Sequence, residues 1–330
     1  MRRSHTFFEK YWQNMMEQRI IRVPQGCPTV EKAMALAVVF SERKVYTETD
    51  PLKIQLDQGV HEIVGYADEY DIHYKRVNVT CSHITFVGKG KNETTVRGMF
   101  VVRNQQNVKF EELAVTNDRA VAAAVVGPTE ASDVSTQWPN NWQAVARGDV
   151  SVAEVWKIEE AMLRESLMNQ MLQNTYGLLL EGSETNVDVL KCILKECTSA
   201  GMCARDGATV IATHCEFTEN GGDGLLCQNA NTKVRLDDCK VHHNGGDGLN
   251  AHDQAVVDLH GTKTDIHSNK RFGLGANWRV KVNIHLPSQH NTTHDNDGED
   301  RHQYLGGSIA NVNADGTFTH VVVDEDEDDD

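Results

Sequence analysis

The sequence predicts an all-β solenoid, a coil of short parallel strands stacked rung upon rung. Three observations carry that reading. Five similar segments open on a glycine (Gly177, Gly201, Gly224, Gly248 and Gly273) at intervals of 24, 23, 24 and 25 residues. Within each unit, period-two alternation appears in three short bursts, the signature of strands rather than helices. Residues of one kind also recur in phase: Cys197, Asn220, Asn244 and Asn269 each lie four positions before a glycine, and Asn291 marks a further, less regular turn. A unit of about 24 residues with three tiny strands buries too little to fold alone, so it stacks on its neighbours about 4.8 Å apart.

The first burst places Leu178, Met202, Leu225, Leu249 and Leu274 one residue after the glycine. Leu180, Ala204, Cys227, Ala251 and Ala276 follow three after it. The second gives Val187/Val189, Val210/Ala212, Val234/Leu236, Val257/Leu259 and Val282/Ile284. The third aligns Leu194, Phe217, Val241 and Ile266, each two residues after Cys192, Cys215, Cys239 or Thr264. Stacking turns these series into ladders. The cysteines read as small buried hydrophobes. The asparagines suit a bend, where left-handed backbone is tolerated and one amide can bond the next.

Asn-Gly-Gly-Asp-Gly-Leu, present twice, together with these ladders, resembles the right-handed parallel β-helix of the pectin-lyase-like superfamily. Its nearest flavour is the repeat of carbohydrate-binding/sugar-hydrolase modules and F-box-only proteins, although no F-box pattern is visible. The N-terminal third is similar. Pro24-Gln-Gly-Cys-Pro-Thr-Val-Glu-Lys-Ala resembles the family's opening helix, with Thr29 as N-cap. Lys53–His61, His83–Gly90 and Asn107–Glu111 resemble its rungs, Phe86 and Phe110 lying 24 residues apart. The expected organisation is an N-terminal cap helix over 1–23, first rungs over 24–118, and an insertion over 119–173 with a loop and a helix, the stretch 150–173 reading alternatively as a degenerate rung. The repeats then fill 174–322, and 323–330 form a disordered acidic tail.

The chain of 330 residues carries a net charge of -16, seven of those charges in Asp324–Asp330. This argues against nucleic acid, whose binding needs a basic surface. No apolar stretch approaches the roughly 20 residues of a membrane span. The N-terminus lacks a signal-peptide core, so an intracellular location is expected. No Cys-x-x-C pair marks a zinc site, and no metal or other cofactor is expected.

Candidate chemistry lies on the polar strip four residues after each glycine: Glu181, Arg205, Gln228, His252 and Asn277. Asp223 and Asp247 sit just before their glycines and fall on adjacent rungs, within about 5 Å in a regular stack. Two carboxylates that close share a proton, bind a cation, or act as acid and base; the bland reading makes each a turn residue. His252-Asp253 is similar to the end of the Asp-Pro-His-Asp motif of mannuronan epimerases, with Asn250 and Ala251 where that motif has Asp and Pro. The full motif sets of polygalacturonases and pectate lyases are missing. Ten of the 15 histidines fall between His214 and His302. They read as ordinary strand and turn residues, or as a face with weak metal affinity or a pH response. The expected function is a non-enzymatic scaffold binding a glycan or a protein through Arg205, Gln228, Asn250 and Asn277. The alternative is a polysaccharide lyase, glycoside hydrolase or uronate epimerase using Asp223, Asp247 and His252, with Ca²⁺ as its cofactor if any.

Overall fold

The computed structural model describes residues 14, 17, 19–63, 66–67, 73–117, 175–285 and 292–321. They form an all-β parallel solenoid of about seven turns with one short helix near its N-terminal end. Each turn contributes one strand to each of three sheets, of eleven, eight and eight strands among the described residues. The pairing within the three sheets is parallel, apart from the terminal strand Phe318–Val321, which folds back antiparallel on Ser308–Val312; Tyr66–Ala67 and His73–Tyr74 form a separate antiparallel pair. Registers align the units as their sequences predict: Val187, Val210, Val234, Val257 and Val282 pair in succession, as do Leu178, Met202, Leu225, Leu249 and Leu274. Both series are essentially fully buried.

The helix Val30–Arg43 closes the first end. Thr29 is its N-cap, in extended conformation with its hydroxyl accepting from Lys32 N, as expected. Val30, Ala33, Met34, Ala37 and Phe40 lie at helical spacing and are buried. Ile20–Val23, expected within an N-terminal helix, is instead the first strand of the eleven-stranded sheet, pairing with Leu52–Leu56. Its buried residues Ile21 and Val23 alternate with exposed Arg22, a strand pattern too short to recognise in isolation. Phe86 and Phe110 do stack, centroids 5.2 Å apart, with Phe100 tilted against both at 5.0 Å. The coil then continues directly, since Met99–Arg103, Val108–Glu111 and Ala114–Thr116 pair with Leu178–Glu181, Asn186–Leu190 and Ile193–Lys195. The loop and helix expected in 119–173 and the acidic tail over 323–330 lie outside the described residues.

All eight cysteines are free and buried. The thiols of Cys192, Cys215 and Cys239 donate to carbonyls of the preceding rung, at Phe110, Val189 and Ala212. Burial pushes the Cys192 thiol up to about 12 and the Cys239 thiol well above the usual thiol range. The asparagine ladder is also present, with one correction. The left-handed residue at each bend is the one before the ladder position (Glu196, Glu219, His243, Ser268 and Asp295), not the asparagine itself. Asn220, Asn244 and Asn269 are buried, each side-chain NH₂ donating to the next asparagine's oxygen at 2.9 Å. The ladder continues to Asn296 rather than to Asn291, which lies outside the described residues.

Candidate functional site

The strands that follow the aligned glycines form the third sheet, and alternation decides what they show outside. Positions one and three after the glycine point into the core, leaving positions two and four on the outer face. The fourth-position row runs Arg103, Glu181, Arg205, Gln228, then His252 after Ala251, then Asn277 and Tyr304. The second-position row runs Val101, Leu179, Cys203, Leu226, Asn250, Gly275 and His302. The face is thus divided, apolar as far as Leu226 and polar from Asn250 onward. Met99, Val101, Tyr176, Leu179, Ala200 and Cys203 make a buried cluster separate from the core, with Leu226 packed against it. The polar strip expected from the fourth positions alone missed this half. The signal lay in Leu178-Leu-Leu180 and Met202-Cys-Ala204, uninterrupted apolar strands of the kind found where both faces are buried.

Arg205, expected to bind a ligand, is engaged internally. Its guanidinium and that of Arg103 both hold the Glu181 carboxylate, which is 8% exposed. A charge this buried needs such partners. The arginine–glutamate–arginine ladder stiffens three rungs and leaves Arg205 half-buried.

Asp223, Asp247, Asn250 and Asn277 do come together. Asp223 accepts Asp247 N through Oδ1 at 2.8 Å and Asn250 Nδ2 through Oδ2 at 3.0 Å. Asp247 accepts Phe272 N through Oδ1 at 3.2 Å, and the Arg271 guanidinium lies 3.6 Å away. Asn277 Nδ2 donates to Asn250 Oδ1 at 3.4 Å. Each aspartate therefore closes the turn by binding a main-chain N–H of the next rung. Burial pushes both carboxyls above their usual range, and for Asp247 the neighbouring Asp223 adds to it; the Arg271 and His252 charges act in the opposite sense on both. Gly275 lies beside Asp247 Oδ2, on the outer face. At the rim, Trp278 and Tyr304 are 54% and 47% exposed, adjacent through Trp278 N donating to Tyr304 O. Nothing in the glycine-aligned pattern marked this aromatic pair, because Trp278 sits one residue past the strand.

A raised folded-state pKa favours the protonated carboxyl. Its stabilising contribution is complete below the unfolded value and is lost as pH rises through the folded one. Asp247→Asn keeps an oxygen for Phe272 N and removes the buried charge. The variant is expected to be more stable than the parent at pH 7, the gap closing as pH falls below about 4. Urea unfolding at the two pH values measures this; a less stable variant at pH 7 would show that the negative charge itself holds the turn.

A second concave place lies on the second sheet's outer face, a cleft of about 350 Å³ lined by Lys91, Thr95, Lys195, Glu216, Thr218 and His242. Glu216 accepts from Lys91 Nζ at 3.2 Å and lies 3.1 Å from His242 Nε2. Burial alone would raise this carboxyl, but those two partners hold it below the usual range. His242, His267 and His294 stack in parallel on successive rungs, 5.0 and 5.2 Å apart. The phase was readable, as His242 and His267 each follow a ladder aliphatic.

Residues 158–297 match the family model described as "Right handed beta helix region". Among solved structures, the chain is similar to the Azotobacter vinelandii mannuronan C-5 epimerase AlgE6 A-module, at 11% identity and TM-score 0.46, covering 88% of this chain and 79% of that one. It is similar to the ORF18 protein of Geobacillus virus E2 at 9% identity and TM-score 0.43, over 91% of this chain and 62% of the viral one. Pectin methylesterase PemA from Erwinia chrysanthemi shows 9% identity and TM-score 0.41, over 91% and 84%. No curated protein sequence matches. These likenesses are too distant to carry chemistry across. A right-handed β-helix family model thus matches residues 158–297, and the described residues form the stacked three-sheet coil of a parallel β-solenoid.

Proposed function

We propose that the chain is a non-enzymatic β-helix scaffold that binds a neutral glycan on the polar half of the third sheet's outer face. One observation carries the reading: Asp223 and Asp247 are each committed to a main-chain N–H of the next rung, and Asp247 is only 2% exposed. An acid–base pair needs carboxyl oxygens that reach the scissile bond. Here the outward groups are amides, Gln228, Asn250 and Asn277, beside His252 and the exposed rings of Trp278 and Tyr304. Aromatic faces next to hydrogen-bonding groups suit the apolar faces and hydroxyls of a sugar. The acidic body disfavours anionic polyuronates unless a cation bridges them.

The catalytic alternative draws support from the raised pKa of Asp223 and Asp247, since a carboxyl held protonated can serve as an acid. Calorimetry against neutral and uronic oligosaccharides, with and without Ca²⁺, separates the readings. The scaffold binds a neutral oligosaccharide without changing it, and Trp278→Ala weakens binding about tenfold, the loss of one stacking anchor. Product formation that disappears in Asp223→Ala and Asp247→Ala would establish an enzyme. Absence of binding to every glycan would remove the glycan as ligand.

A further inference from the structure

We propose that Asp258, His260 and His285 form a binding site for a divalent transition-metal ion on the outer face of the eleven-stranded sheet. This face is separate from the one proposed to bind glycan, so neither reading depends on the other. In Val256–His260, Val257 and Leu259 point into the core, which turns Asp258 and His260 outward. In the next rung, Lys281–His285, Val282 and Ile284 are buried and Asn283 and His285 face out. The register pairs Asp258 with Asn283 and Leu259 with Ile284, which sets His285 beside His260. One ligand atom from each of the three side chains lies within 4.8 Å of the others, and His285 Nε2 is 3.0 Å from Asp258 Oδ1. Among the described residues, no other three such side chains converge this closely.

The donor set, two imidazole nitrogens and a carboxylate, selects zinc, copper or nickel over calcium and magnesium. Three protein ligands leave a position for water, and half-burial leaves an approach from solvent. The surroundings orient the carboxylate, since Asn283 Nδ2 donates to Asp258 Oδ1 at 3.0 Å. From the preceding rung, Arg235 faces Asp258 and Asp237 faces His260, but the arginine donates to Asp237 Oδ2 at 3.0 Å and its charge is largely balanced there. From the following rung, Ala310 and Val312 face Asn283 and His285 and bring no charge. The two imidazole rings stack at 4.0 Å and 10°, so taking up one ion turns a ring about its Cβ–Cγ bond until the in-plane lone pairs converge. Burial, then His285 and Arg235, hold His260 below the usual histidine range, against the opposing charges of Asp258 and Asp237.

The test titrates the full chain with zinc chloride at neutral pH, in competition with a chromogenic zinc indicator. The expected result is one equivalent bound, weakened at least tenfold in His260→Gln and in His285→Gln. The double substitution His242→Gln/His267→Gln, on the second sheet, should leave it unchanged. All these side chains face outward, and thermal melting of the metal-free variants checks that the coil is intact. Copper(II) offers a reading without substitution: in the parent protein it should broaden the imidazole resonances of His260 and His285 first. No zinc bound by the parent, undiminished affinity in both glutamine variants, or broadening confined to His242, His267 and His294 would each overturn the site.

Discussion

Replacing Asn244 by alanine is expected to destabilise the coil by about 3–5 kcal/mol, more than a typical surface or single-methylene change. Asn244 is fully buried and works in both directions along the stack. Its Oδ1 accepts both the main-chain N–H of Asn220, at 3.2 Å, and the Asn220 side-chain amide, at 2.9 Å. Its Nδ2 donates to Phe217 O at 3.1 Å and to Asn269 Oδ1 at 2.9 Å. Alanine removes all four bonds, each worth about 1 kcal/mol. Asn220 Nδ2 keeps Leu194 O and Asn269 Oδ1 keeps the main-chain N–H of residue 244, but the buried Asn220 N–H loses its side-chain acceptor, at a further cost of about 1–3 kcal/mol. Asn244→Asp is the informative companion. It keeps the accepting oxygen for Asn220 yet cannot donate to Phe217 O, and it brings an unpaired charge against Asn269 Oδ1, so it should be no better tolerated. Urea denaturation followed by circular dichroism measures both. The slope should be inspected as well as the midpoint, because in a quasi-one-dimensional array a broken rung can uncouple the two ends. A loss below about 1 kcal/mol for Asn244→Ala would mean that the ladder is incidental to the fold.

How much of this was legible depended on whether a residue's role is repeated. Leu178, Leu225 and Leu249 declare the inward face because parallel stacking makes every rung solve the same packing problem with the same residue type. Cys192, Cys215 and Cys239 could be read as buried for the same reason. Ile20–Val23 was misread because an end strand has no repeat to be aligned with. The site was half-legible. Asp223 and Asp247 were correctly brought to neighbouring rungs, but which proton each carboxylate accepts depends on backbone direction, which no spacing reveals. Arg205 looked like an outward binding group until Glu181, 24 residues earlier, proved to be its partner. That the histidine-rich region holds a face with metal affinity was legible as one option, but Asp258, His260 and His285 emerge as its members only from the phase of the repeat. His260 and His285 are 25 residues apart, the period of their rungs, and stand at the same position of the second strand.

The glycines that reveal the repeat lead to the other large expected effect. Gly248→Ala should cost at least about 3 kcal/mol, the upper part of the range for overpacking a filled interior. None of Gly177, Gly201, Gly224, Gly248 or Gly273 adopts a left-handed conformation, so turn geometry does not explain them. Space does. A Cβ on Gly248 would lie 2.6 Å from Ile266 Cγ2, 2.7 Å from Asn269 Nδ2 and 2.7 Å from Gly273 O. The first belongs to a β-branched side chain with little rotamer freedom, the second is held by two hydrogen bonds, and the third is main chain of the next rung. The same relation holds along the stack: Gly224 faces Asn244 Nδ2 and Gly248 O, and Gly273 faces Asn296 Nδ2 and Asp300 O. Glycine and asparagine ladders are therefore one device, in which each asparagine amide occupies the volume that a side chain at the glycine would need. Relief cannot come from one side chain, since moving Gly273 O means separating two rungs and lengthening the bond it accepts from Leu249 N, now 3.0 Å. Gly275→Ala supplies the control on the same sheet. Its Cβ would meet nothing closer than Asp247 Oδ2 at 3.1 Å, and it should cost less than about 1 kcal/mol. Equal losses for the two variants in urea would show that glycine is needed here for some reason other than the asparagine it faces.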